Sequence, residues 1–241
     1  GFQSVKIDSD DIVRNTSEAK NQDNCIASGL TLYAWEQYDI SGTLLGVYAS
    51  VIDKTSGAVF QSATLIDATA INPRCLAIGP NPTLFYLDTS SSPYVMKSVQ
   101  VNTLNPVVFN STTTIVSTVN TTNPFYDVAV NSSNATSGNA AFVYNSSSST
   151  TIGVGFITTD GVAGTPGNGF TGVTTIGSTD ASDLLTLTVD QVNTAPTETD
   201  RLYVGYASTT AGQGLKIKRI KSILTSEATH TVEATTTKID G

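Results

Sequence analysis

The residues able to do chemistry in this chain are few and scattered. There is one histidine, His230, between Thr229 and Thr231 with Glu233 beyond. That alternation reads as a strand with an exposed imidazole. A Ser-His-Asp relay would have to be built on it, and no glycine-framed nucleophile motif stands ready to supply the serine. Five aspartates, Asp53, Asp67, Asp88, Asp127 and Asp160, fall near expected strand ends or turns. Glycoside hydrolysis needs two carboxylates converging on one cleft. Aspartate is also common in turns, because its side chain bonds its own backbone. Asp8-Ser9-Asp10-Asp11 has half the oxygen ligands of a calcium loop but lacks the glycine and closing glutamate of an EF-hand, so it reads as a polar turn. Gly161, Gly164, Gly167 and Gly169 follow Asp160 with no helix after them, which makes a long hairpin loop rather than a phosphate cradle. Cys25 and Cys75 have no histidine close in sequence and make a poor zinc site. The residues thus assign no catalytic, cofactor-binding or metal-ligating position, and no cofactor is expected.

What must position these residues is a repeat. Cys25-Ile26-Ala27-Ser28-Gly29 returns as Cys75-Leu76-Ala77-Ile78-Gly79. Thr31-Leu32-Tyr33-Ala34-Trp35 is followed one unit later by Thr83-Leu84-Phe85-Tyr86-Leu87. Phe60 and Ser62 return as Phe109 and Ser111. Two looser units follow, one through Tyr126, Phe142 and Ile152, the other through Leu184, Leu202 and Leu215. A period near fifty made of short strands is the signature of a repeat architecture such as a β-propeller. The segments are β-branched or aromatic and bounded by Gly, Asn, Ser and Pro, and long 3.6-period stretches are nearly absent.

The expected fold is therefore all-β, a β-propeller of four-stranded antiparallel blades, about four in this chain. Approximate blade limits are 24–67, 72–117, 123–178 and 183–240. The first strand of each unit, with Cys25, Ala27 and Gly29 or Cys75, Ala77 and Gly79, suits a crowded axis. Inner strands of neighbouring blades are expected to stand too far apart for a disulfide, leaving buried free thiols. The second strand carries Trp35, Phe85, Phe142 and Tyr203 at corresponding positions, as filling between blades rather than as a sugar-stacking surface. Each outer strand closes on a pattern such as Leu65-Ile66-Asp67 or Lys238-Ile239-Asp240, and Lys6-Ile7-Asp8 repeats it. Residues 1–8 are accordingly expected to complete a preceding or partner blade; alternatively residues 1–10 form an irregular arm.

Composition bounds the partners. Charged residues are only 13%, hydrophobic residues 39%, and formal net charge is −8. Acidity disfavours nonspecific binding to nucleic acid or acidic membrane. The basic run Lys216, Lys218, Arg219 and Lys221 reads as charge on an outer strand. Six Asn-x-Ser/Thr sites, at Asn15, Asn110, Asn120, Asn131, Asn134 and Asn145, slightly exceed chance and allow glycosylation. The low-complexity stretch 131–150 is an expected loop pair around one strand.

The four units resemble β-propeller blades over almost the whole chain, without a WD dipeptide, a kelch double glycine or an Asp-box. In texture, rich in Thr, Ser and Asn and weakly charged, the chain resembles propeller domains inserted in bacteriophage tail proteins such as podovirus tail-nozzle components. That resemblance implies a structural role in rings of copies around a DNA channel, without cofactor or catalysis. The expectation is a non-enzymatic assembly module of a virion or similar extracellular assembly. Its partners would be other structural proteins or copies of itself, with DNA passing ungripped and no membrane insertion. The alternative is a secreted or cell-surface propeller recognising glycans or proteins, and a propeller hydrolase comes third.

Overall fold

Among the described residues, the short β-branched and aromatic segments fold as strands. A computed structural model describes residues 18–104, 106–130, 140–147 and 151–157, and the strands at 174–178, 181–190, 201–208, 215–221 and 232–237. Residues 1–8, the Asp8–Asp11 turn, Asp160, the glycine-rich loop and His230 lie outside the described residues, as do Asn15, Asn131 and Asn134. The first sheet contains β1 (Glu18–Ala27), β2 (Leu30–Tyr38), β3 (Leu44–Asp53) and β4 (Val59–Asp67) in that order. The second contains β5 (Ala70–Ile78), β6 (Asn81–Asp88) and β7 (Tyr94–Asn102), with both β8 (Val108–Phe109) and β9 (Thr113–Val119) paired to β7. The third contains β10 (Tyr126–Val130), β11 (Ala140–Asn145), β12 (Thr151–Ile157) and β13 (Thr174–Ser178). The fourth contains β14 (Ala181–Asp190), β15 (Arg201–Ser208), β16 (Leu215–Lys221) and β17 (Val232–Thr237). The basic run 216–221 lies on β16. All pairings are antiparallel.

The innermost strands neighbour one another in sequence order: β1 lies against β5, β5 against β10 and β10 against β14. Antiparallel four-stranded sheets arranged side by side through their first strands form a β-propeller. The chain folds as propeller blades.

Packing between blades explains the composition of the second strands. Along β6, Leu84 and Tyr86 belong to the apolar cluster shared with the first blade. Phe85 and Leu87 belong to the cluster shared with the third. Successive strand residues point to opposite faces, so a blade buried on both sides needs an unbroken apolar run. Every residue from Pro82 to Asp88 is buried. Trp35, Phe85 and Phe142 are likewise buried, at 8%, 0% and 1% exposure. Their ladder positions differ, however. Cys25 pairs with Leu32 and Cys75 with Leu84, so Tyr33, not Trp35, is the counterpart of Phe85.

Two further differences have simple causes. Gly29 and Gly79 do not continue the inner strands; they turn the chain at positive φ, 76° and 57°. And β1 begins at Glu18, inside a polar stretch with no apolar alternation. Its pairing with β2, Glu18 opposite Tyr38 and Lys20 opposite Glu36, carries a run that propensity alone would not.

Candidate functional site

The inner strands of the first two blades are interrupted in the same way. The β1–β2 register shifts between Lys20 and Asp23, and Asn21 there has φ 47°. The β5–β6 register shifts between Ile71 and Arg74, and Asn72 there has φ 54°. An extra residue in one strand re-aims the side chains around it. Asparagine tolerates the left-handed backbone better than most residues.

One buried acid ties the two bulges together. Glu36, at 1% exposure, accepts hydrogen bonds from the Asn21 side-chain amide at 2.9 Å, the Tyr38 hydroxyl at 2.8 Å and the Asn72 backbone N–H at 2.6 Å. Burial, the bond to Glu36 and the charges of Glu36 and Glu18 push the Tyr38 phenol up to about 12. Lys20 lies over the Tyr38 ring, 4.8 Å from its centre. The same seam continues outward. Asp23 Oδ2 accepts the Cys75 N–H at 2.9 Å, and Tyr126 donates its hydroxyl to the Asn72 carbonyl. Three blades are thus joined where their inner strands begin.

A second acidic cluster stands between the first two blades. Thr69 Oγ1 is 2.8 Å from both Asp67 Oδ1 and Asp88 Oδ1, which puts the two carboxylates within twice that distance of each other. Lys97 Nζ is 2.6 Å from Asp88 and 3.7 Å from Asp67. Burial works against an ionised Asp88, but hydrogen bonds from Lys97, Ser90 and Thr69 outweigh it and hold its carboxyl well below the usual range. Bonding to Asp88 in turn raises Lys97 against its partial burial. A carboxylate held so firmly ionised is a poor proton donor at neutral pH. This pair is structural, although its spacing approaches that of paired glycosidase acids.

Other acids occupy turns. Asp53 Oδ1 accepts the N–H groups of Thr55 and Ser56 at 2.9 and 2.6 Å. Asp127 instead lies on β10, opposite Val143, where its Oδ1 accepts the Val128 N–H. Glu36, Asn21, Asp23 and Asn72 escaped the sequence reading. One signal was available: an acid ends the apolar run of the second strand in both units, Glu36 in the first and Asp88 in the second.

The inner strand β1 is also not the small apolar strand expected. Its first half, Glu18 to Gln22, is exposed, as are Asn24 and, on β5, Arg74. Only Cys25 and Ala27 fit a crowded axis. The start of β1, with Arg74 on β5, therefore presents amides and charges rather than a packed apolar seam. The expected separation of inner strands needs correction too. Cys25 and Cys75 are free thiols, but Cys25 packs across the blade boundary against the cluster that contains Cys75.

No family model and no curated protein sequence matches this chain. Solved structures do. It is similar to an exo-β-1,3-galactanase from Phanerochaete chrysosporium determined with β-1,3-galactotriose, at TM-score 0.50 and 10% identity, over 91% of this chain and 50% of that one. An exo-β-1,3-galactanase from Clostridium thermocellum gives TM-score 0.49 at 10% identity, over 91% and 48%. A GH43 endo-arabinanase from Bacillus licheniformis gives TM-score 0.44 at 10% identity, over 84% and 71%. The chain spans about half the length of the galactanases. At this identity the likeness is one of fold, and it is to propeller glycoside hydrolases. It overturns the reading as a bacteriophage tail or virion structural module, and with it the expectation that the chain is not an enzyme, because the matching fold is that of a glycoside hydrolase.

Proposed function

We propose that this chain is a carbohydrate-active propeller that takes a glycan where its inner strands begin. The observation that carries the reading is the exposed polar half of β1, Asn21, Gln22 and Asn24, with Arg74 of β5 beside it. Amides and guanidinium groups fixed on strands are suited to pairing with sugar hydroxyls, and Glu36 holds Asn21 in place from behind. The fold shared with a galactanase that carries β-1,3-galactotriose supports the same ligand class. An extracellular setting accords with a polysaccharide ligand.

The test is a glycan array followed by calorimetry with β-1,3-galactan and arabinan oligosaccharides. Saturable binding is expected, and Gln22→Ala with Arg74→Ala should weaken it at least tenfold while leaving thermal stability unchanged. A blank array, or binding indifferent to both substitutions, would overturn the proposal. Release of reducing sugar from the bound glycan separates cleavage from recognition alone.

A further inference from the structure

We propose that Cys25 and Cys75 are an oxidisable pair that cross-links the first two blades. They occupy equivalent ladder positions on neighbouring inner strands, Cys25 opposite Leu32 and Cys75 opposite Leu84. Cys25 packs against the apolar cluster that contains Cys75. The seam is pinned on both sides of them. Toward the strand starts, Cys75 donates its N–H to Asp23 Oδ2 at 2.9 Å and its thiol to the Asp23 carbonyl at 3.6 Å. At the far end, Ser28 donates its hydroxyl to the Pro80 carbonyl at 2.6 Å. A disulfide requires two thiols brought together by a scaffold that does not have to move far, and this seam supplies that.

The two sulfurs differ in a way that orders the chemistry. Cys25 is half-buried, while Cys75 is 8% exposed. The neighbouring Cys25 side chain, burial and the Asp23 carboxylate push the Cys75 thiol up. Cys25, the more accessible of the two sulfurs, reacts first. Its thiolate attacks a small-molecule disulfide, forming a mixed disulfide and expelling one thiolate, which takes up the proton Cys25 gave. Cys75, deprotonated in its turn, attacks the Cys25 sulfur, forms the cross-link and expels the second thiolate. The protein loses two electrons and two protons, and the oxidant becomes two thiols. The cysteines stand fifty positions apart. Closing so long a loop restricts the unfolded chain strongly.

The experiment uses the reduced full chain incubated with oxidised glutathione. Thiol titration should show both cysteines disappearing together, and peptide mapping should recover a Cys25–Cys75 linked peptide without retained glutathione. The thermal midpoint should rise by about 5–10 °C and return on reduction. Cys25→Ala should show no such rise. Glutathione retained on Cys25 with Cys75 still free would overturn the proposal, as would a link between two chains or a linked chain with an unchanged midpoint. The wild-type peptide map decides the matter even if the Cys25→Ala chain fails to fold.

Discussion

Glu36 shows how much a single side chain does at the blade boundary. It sits at 1% exposure with three donors converging on it, one from its own inner strand, one from its own strand and one from the next blade. Exchange for glutamine keeps the shape but turns one acceptor into a donor facing donors. Leaving buried groups unsatisfied costs about 1–3 kcal/mol each, more when a charge was involved. Glu36→Gln is therefore expected to lose about 2–4 kcal/mol in urea unfolding; a loss under about 0.5 kcal/mol would mean that the three bonds do not hold the bulges.

The Asp88–Lys97 pair gives a prediction in pH. Asp88 is depressed in the folded chain, so its contribution is complete above the unfolded aspartate value of about 3.9 and is lost as pH falls through the lower folded value. Lys97 is raised, so its contribution is complete below about 10.4 and is lost as pH rises past its folded value. Asp88→Asn should be less stable than the parent at neutral pH. It should also lose less stability between about pH 5 and about pH 2. Equal acid slopes for the two proteins would refute the assignment.

At the scale of the element, glycines decide where aromatic rings lie. Phe142 pairs with Gly155 and Tyr144 with Gly153 across β11 and β12. A methyl group at Gly155 would enter the Phe142 ring, and one at Gly153 the Tyr144 ring. Each ring covers the bare backbone opposite it and in doing so fills the space against the second blade. Gly155→Val is expected to displace Phe142 and cost about 2–4 kcal/mol, visible as a lower unfolding midpoint and altered near-ultraviolet circular dichroism. Gly46 is a different case. It stands at a register shift with φ 122°, and a Cβ there would strike the Asp67 carbonyl and lie 2.7 Å from Ala68 Cα. Backbone atoms cannot yield as a ring can, so Gly46→Ala should be at least as damaging. Elements were legible in the sequence wherever apolar residues alternated or ran unbroken, as in β2 and β6. They were not legible where a polar segment was drawn into a sheet by its neighbour, as at the start of β1. Pairing supplied what local preference lacked. One outer strand also changed form between units. It is continuous in β4 but divided into β8 and β9, although Phe60 and Phe109 answer each other in sequence.

Across the whole molecule, the blades hold one another. Ile78, Phe85, Leu87 and Met96 of the second blade share a buried cluster with Tyr126, Phe142 and Ile157 of the third. A chain cut after Val119 would lay that face open. Such a fragment is expected to bind a hydrophobic dye and self-associate, whereas independent folding as a stable monomer would show that each blade is self-sufficient.

The sequence by itself determined the repeat, the all-β class and the burial of the aromatic rows, because these depend on spacing and on the period-2 alternation of a strand. It could not determine the function. The acids that matter to the blade boundary, Glu36, Asp23 and Asp88, come from different strands and different blades. Glu36 takes its role only when the bulges at Asn21 and Asn72 bring their donors within reach, and Asp88 only when Thr69 and Lys97 close on it. Contacts between residues far apart in the chain leave no trace in local pattern. The polar entrance on β1 and the meeting of Cys25 with Cys75 are of that kind, and only the tertiary arrangement of neighbouring blades decided them.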